Sequence, residues 1–162
     1  MPILPDILQP GLDIVFCGMA PSRVSAARGA YYAHPGNRFW PTLYETGLTP
    51  RLLAPEEFRL LPQWGIGLTD VNKTEIGRDI ELSKAAHDPL GVRQRVLTFK
   101  PRFLATTSKT AGQLILGSAC DYGLHTETIG DTQIFVLPST SGAARGFWDI
   151  APWRALAKAA RG

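Results

Sequence analysis

The sequence predicts an α/β protein: a three-layer α/β/α sandwich around a mostly parallel sheet of four strands. Three observations carry this. Four short runs, at residues 13–19 (DIVFCGM), 65–71 (GIGLTDV), 103–107 (FLATT) and 132–138 (TQIFVLP), are nearly continuous in hydrophobicity, as strands covered on both faces are. Segments with helical spacing separate them, and strands alternating with helices imply parallel pairing. The 16 glycines and 13 prolines fall largely at the ends of these runs, where tight turns belong.

Taken in order, strand 13–19 opens the chain's regular structure, followed by helical spacing at 38–46 and 55–61. The second strand, 65–71, precedes a helix at 89–99; the third, 103–107, runs into a helix at 108–116. The fourth strand, 132–138, precedes a last helix at 150–160, where Pro152 suits the first turn because its missing N–H has no partner there. No repeat, low-complexity tract or linker divides the 162 residues, so residues 1–162 are read as one domain.

Composition excludes several classes. With 44% hydrophobic and 19% charged residues the chain has material for a core, and +3 net charge permits a polyanionic partner without making the protein a basic DNA coat. The N-terminus lacks the basic start and apolar stretch of a signal peptide, and no apolar run reaches the length of a membrane span, so a soluble, cytoplasmic monomer is expected. Cys17 and Cys120 stand far apart, and His34, His87 and His125 are scattered, which argues against a disulfide framework or a metal site. Neither GxxxxGK[ST] nor a GxGxxG after a strand is present, and no GxSxG elbow; no cofactor is expected.

In a parallel sheet, ligands sit beyond the carboxyl ends of the strands. The first strand leads into Gly18-Met19-Ala20-Pro21-Ser22, then Ser25 and the aromatic stretch GAYYAHPGNRFW. The second leads into Asp70-Val71-Asn72-Lys73, and the fourth into Ser139-Thr140-Ser141-Gly142-Ala143-Ala144-Arg145-Gly146. Hydroxyls, amides, a carboxylate, an arginine and stacking rings thus share one edge, an inventory suited to a nucleobase approached alongside phosphate.

These segments resemble the uracil-DNA glycosylase superfamily, most closely its mismatch-specific uracil-DNA glycosylase and thymine-DNA glycosylase branch. PGLDIVFCG, HPGNRFW, GIGLTDV, FKPRFLA and TQIFVLPSTSGAAR carry the resemblance over nearly the whole chain. It implies a cofactor-free enzyme that flips a damaged base out of single- or double-stranded DNA and hydrolyses its N-glycosidic bond, leaving an abasic site. By that resemblance Tyr32 stacks on the flipped base, Met19 (through its backbone), Ala20, Ser25 and Ser139 lie by the base, and Asn37, a brace of the Pro35-Gly36 turn, joins them. Ser141, Gly142, Ala143 and Arg145 would grip the strand and fill the gap in the duplex.

The first motif departs from that branch. There it reads Gly-Ile-Asn-Pro-Gly and the asparagine positions the attacking water; here Ala20 has no polar group to offer. Asp70 is the expected replacement, because a carboxylate there orients or deprotonates water and stabilises positive charge developing on the sugar. Asn72 and Ser22 are weaker substitutes. The alternative is a protein that binds lesions or abasic sites with little or no excision. Uracil is the expected base, with hypoxanthine and xanthine as related deaminated candidates.

Overall fold

The computed structural model describes residues 2–162, the side chains of residues 143–145 excepted. Five strands form one sheet in the order β2-β1-β3-β5-β4: β1 (Ile14–Gly18), β2 (Ile66–Asp70), β3 (Phe103–Thr106), β4 (Gly123–Ile129) and β5 (Thr132–Val136). The four strands expected from the sequence are all present and mutually parallel, in the register Ile14↔Ile66, Ile14↔Phe103 and Phe103↔Gln133. Their residues are buried almost throughout, which is why they read as continuous apolar runs.

The fifth strand, β4, is antiparallel to β5 at the sheet edge. Its sequence, GLHTETI, is polar and mostly exposed, because an edge strand covers little core. Its readable signal was the two-residue Gly130-Asp131 connection between Ile129 and Thr132, with Gly130 at φ +59°.

Five α-helices accompany the strands: α1 (Arg23–Arg28), α2 (Phe39–Glu45), α3 (Pro89–Phe99), α4 (Lys109–Leu116) and α5 (Ala151–Arg161). Helix α3 starts on Asp88, whose carboxylate accepts from the Gly91 amide at 2.9 Å, with Pro89 in its first turn. Ser108 caps α4 in the same way, accepting from Ala111 N at 3.1 Å. The segment expected to be helical at 55–61 is a 3₁₀ helix, Pro55–Trp64, with Pro62 inside it; proline lacks the N–H that an α-helical turn requires. Helix α1 is only six residues long, too short to show a period in sequence.

Each face of the sheet carries its own apolar layer. On one, Ile14, Phe16, Ile66 and Leu68 meet Phe39, Leu43 and Phe58, together with Trp153 and Leu156 of α5. On the other, Val15, Cys17 and Leu104 meet Val92 and Val96 of α3 and Ala111 and Ile115 of α4. Trp153 is the keystone of the first layer: its ring stacks on Phe16 (centroids 5.4 Å apart), meets Phe39 edge-on (6.0 Å), and its indole N–H donates to Pro138 O at 3.1 Å. That last bond ties α5 to the start of the loop after β5. The segment before β1 adds to the outer edge of β2 through Ile7, which exchanges backbone hydrogen bonds with Leu68 (2.9 and 3.0 Å). Gly67 permits this, since a Cβ there would run into the Ile7 carbonyl.

Candidate active site

Beyond the carboxyl ends of β1, β2, β3 and β5 lies a cavity of about 430 Å³. The chain after β1 enters it through Met19, Ala20 and Pro21, and Ser22 then caps α1 by accepting from Ser25 N at 3.1 Å. The Ser22 hydroxyl also donates to Ser25 Oγ (3.2 Å), which in turn accepts from Ala33 N (3.0 Å). Both serines therefore line the cavity while bracing the loop that carries Tyr32.

Tyr32 has φ +52°, a left-handed conformation that costs a bulky residue roughly 1–2 kcal/mol. Two contacts hold it there. Its ring lies face to face on Phe39 (centroids 3.9 Å, interplanar 17°), and its hydroxyl shares a hydrogen bond with Thr107 Oγ1 at 3.1 Å. One ring face is thus already covered, and only the rest of the ring is open to the cavity. Burial, reinforced by the Asp70 carboxylate, holds the phenol well above its usual range, so it stays a neutral hydroxyl.

Asp70 ends β2 beside Gly18 at the end of β1. The residue is 3% exposed, it lines the cavity, and its Oδ2 has no hydrogen-bond partner among the described residues. Buried polar atoms are satisfied in the great majority of cases, so an orphaned carboxylate oxygen on a residue that lines a cavity calls for a partner, a water or a ligand. Gly18 makes the convergence possible: a Cβ on it would lie 3.0 Å from Asp70 Oδ1, 3.0 Å from the Tyr32 hydroxyl and 3.4 Å from Thr107 Oγ1. A carboxylate and two hydroxyls thus gather around a backbone with no side chain. Burial pushes the Asp70 carboxyl up from 3.8 to about 6; the charges of Lys73 and Arg95 oppose the rise and that of Asp6 adds to it.

The loop after β5 closes the opposite wall. Ser139, Thr140 and Ser141 line the cavity, Ser139 Oγ accepting from Ser141 N at 3.2 Å. This loop is fastened to the HPGN turn, with Arg38 N donating to Thr140 O (2.9 Å) and the Gly142 Cα close enough to the Gly36 carbonyl that a Cβ would touch it at 3.4 Å. In that turn His34 Nδ1 accepts from Gly36 N (3.0 Å) and Asn37 Oδ1 from Phe39 N (2.9 Å), which leaves the Asn37 amide hydrogens for a ligand at the cavity wall.

Nine of the residues singled out in the sequence therefore share one cavity: Met19, Ala20, Ser22, Ser25, Tyr32, Asn37, Asp70, Ser139 and Ser141. Asn72 is not among its lining residues. It is buried, its Nδ2 donates to Glu75 Oε1 (2.8 Å), and its Oδ1 accepts from the amides of Thr74 and Glu75 (3.3 and 3.1 Å), the work of a turn brace. Gly142 begins a short 3₁₀ helix, Gly142–Phe147, next to the cavity; Ala143 and Arg145 lie outside the described side chains.

A further wall was missed from the sequence. Thr107, Ser108, Lys109 and Thr110 line the cavity, as do Gly77, Arg78 and Asp79. Thr107 directly follows β3, so the strand-end rule that picked out the other three loops applies to it equally. The 77–79 stretch carries no such signal: it reaches the cavity because Gly77 N donates to Pro21 O (2.9 Å) and Arg23 pairs twice with Glu81 (3.0 and 2.6 Å). Lys109 stands 4.5 Å over the Tyr122 ring, adding a cation and an aromatic to the same wall. Among the described residues no group of three or more His, Cys, Asp or Glu is placed to hold a metal ion, and no helix is long and apolar enough to cross a membrane.

An α/β sandwich with a polar, aromatic-walled cavity beyond the ends of its parallel strands offers a small-molecule-sized site at the sheet edge, where such folds bind their ligands. The family model for the uracil DNA glycosylase superfamily matches residues 5–157, and the chain belongs to that superfamily. Its fold is similar to the solution NMR structure of a Methanosarcina acetivorans protein provisionally assigned as a uracil DNA glycosylase (TM-score 0.68, 26% identity, covering 98% of this chain and 97% of that one).

Proposed function

We propose that the protein excises uracil from DNA, and related deaminated bases such as hypoxanthine or xanthine, by hydrolysing the N-glycosidic bond of a flipped nucleotide and leaving an abasic site. The observation that carries this reading is the Asp70 carboxylate, buried, with one oxygen unsatisfied, at the floor of a cavity walled by Tyr32, Thr107 and the Ser139–Ser141 loop. Flipping brings the base out of the stack at a cost of a few kcal/mol. The uncovered part of the Tyr32 ring then packs on the base, and the Asn37 amide and the backbone by Met19 and Ala20 meet its edge.

Asp70, ionised above pH about 6, accepts a proton from water and, as an anion in a dry site, stabilises the cationic sugar of an oxocarbenium-like transition state. Ser22 is the weaker substitute for this role, since its hydroxyl already caps α1; Asn72 is committed to its turn. The Ser141–Arg145 stretch grips the strand. In this reading the enzyme works as a cytoplasmic monomer without a cofactor, and its motifs resemble those of the mismatch-specific and thymine-DNA glycosylase branch.

The test is incubation with oligonucleotides carrying uracil, hypoxanthine, xanthine or a thymine mismatch, single- and double-stranded, followed by alkali. Strand scission at uracil is expected, and none with any base overturns the reading. Ala20, a methyl where the branch carries its water-positioning asparagine, favours a second reading, a lesion-binding protein without turnover; product formed in excess of enzyme excludes it.

Gly18 supplies a prediction from close packing. Gly18→Ala inserts a methyl 3.0 Å from both Asp70 Oδ1 and the Tyr32 hydroxyl, displacing one of them by a few tenths of an ångström. Single-turnover excision should fall by about 10-fold or more, because reacting groups tolerate little misplacement. Thermal unfolding should shift by no more than about 1 kcal/mol. Unchanged excision in Gly18→Ala would remove the Asp70, Tyr32 and Thr107 cluster from the chemistry.

A further inference from the structure

Along the outer edge of β2, on the side away from β1, Asp6 collects two cations. Its Oδ1 pairs with Lys73 Nζ at 2.8 Å and accepts from Thr69 Oγ1 at 2.7 Å, while its Oδ2 lies 3.4 Å from Arg95 Nε. Arg95 Nη1 donates to Thr69 Oγ1 (3.1 Å) and to the main-chain carbonyl of Asp70 itself (3.3 Å). Lys73 also donates to the Tyr31 hydroxyl (3.2 Å), which donates to Pro5 O (2.8 Å). The side chains of Lys73 and Arg95 are only 12% and 22% exposed, so their charges are poorly screened. Neither makes an ion pair with the Asp70 carboxylate, though both act on it.

We propose that Asp6, which lies outside the cavity, is a positioning residue for Asp70: by engaging Lys73 and Arg95 at the edge of β2 it keeps both cations off the Asp70 carboxylate, which stays unpaired toward the substrate. The inference rests on the glycosylase reading above for its catalytic consequence, not for its electrostatics. Lys73⁺, Arg95⁺ and Asp6⁻ leave one net positive charge for ionised Asp70 to balance; without Asp6 there are two. The nearby carboxylate with an unsatisfied oxygen is then Asp70. The other titratable groups that interact with Asp70 are Cys17 from β1 and Tyr31 and Tyr32 from the loop after α1, all held neutral by burial; Arg78, Asp79 and Lys109 line the same cavity but are not among the charges that shift Asp70. The Thr107 hydroxyl does not titrate. The network of Asp6, Lys73 and Arg95 is therefore the adjustable source of charge.

The experiment compares the parent with Asp6→Asn, Asp6→Glu and Arg95→Gln, by the pH dependence of single-turnover uracil excision and by the carbon-13 NMR titration of the Asp70 carboxyl in the free protein. In the parent, excision rises with pH through the Asp70 titration. Asp6→Asn should displace that rise to lower pH by roughly half a unit or more and lower the plateau rate by about 3- to 10-fold, a weaker and partly paired base being left. Arg95→Gln should displace it in the opposite direction, and Asp6→Glu should restore the parent profile. The NMR titration needs no turnover: absent excision in the parent defeats the functional reading, while displaced Asp70 titration in Asp6→Asn still supports the network. Unchanged Asp70 titration in folded Asp6→Asn overturns the inference, as does a pH-independent loss that Asp6→Glu fails to restore. Should Asp6→Asn not fold, Arg95→Gln decides by the direction of its displacement.

Discussion

Asp70→Asn is expected to abolish most excision and at the same time to stabilise the protein. The loss should be at least about 100-fold in single-turnover rate, the scale of removing a general base, with binding of uracil-containing DNA largely retained. Full activity in the variant would transfer the role to Ser22 or to backbone-held water. The gain in stability follows from linkage. The Asp70 carboxyl holds its proton up to about 6 in the folded protein but only to 3.8 when freely solvated. Between those values the unfolded chain has released the proton and the folded one has not, so stability falls as pH rises through this window. The cost is complete above it, at about 3 kcal/mol. Asparagine has no charge to desolvate. At pH 7.5 the variant should therefore unfold roughly 5–10 °C above the parent, with the difference shrinking toward pH 4. A variant no more stable than the parent at pH 7.5 would show that the Asp70 carboxylate is not strained by burial, and with that the case for an activated base weakens.

The second large effect concerns the ring beneath the site. Phe39 is fully buried, meets Phe16, Trp40 and Trp153 edge-on at 5.3, 5.1 and 6.0 Å, and carries Tyr32 on its face. Phe39→Ala should cost about 3–5 kcal/mol through lost burial and the cavity left behind. That corresponds to a fall of roughly 10 °C in the unfolding midpoint. The site should fail beyond this, since Tyr32 loses the stack that holds its left-handed backbone. Phe39→Leu, which keeps apolar volume but no ring face, separates the effects: it should remain folded at 25 °C while losing excision. Calorimetry and single-turnover assays at that temperature check both variants, and an active Phe39→Leu would mean that the stack is packing alone.

The parallel strands were legible because a strand buried on both faces has to be apolar throughout, and HPGNRFW was legible because its turn chemistry is local: Pro35 and Gly36 demand a tight turn, and His34 and Asn37 are the polar groups that pin it. Strand β4 escaped because pairing at an edge asks for backbone hydrogen bonds rather than apolar side chains. The 3₁₀ character of residues 55–64 was hidden for a related reason: spacing shows which side chains face the core, and Pro62 alone signals that the α-helical ladder cannot form.

Residue types and their order along the chain determined the layered α/β class and the loops that meet at one sheet edge, the end of β2 with Asp70 among them. Only the tertiary structure decided which polar groups remain free. Asn72 and Asp70 sit two residues apart with similar side chains, yet one is consumed by Glu75 and its own turn while the other lines the cavity with one oxygen left without a partner among the described residues. Tyr32 gains a partner on one ring face from Phe39, and Asp6 pairs with Lys73 from a distant part of the sequence. The physical reason is that hydrogen bonding and desolvation depend on distances between segments that folding brings together, whereas hydrophobic period and turn preference are set by neighbours along the chain.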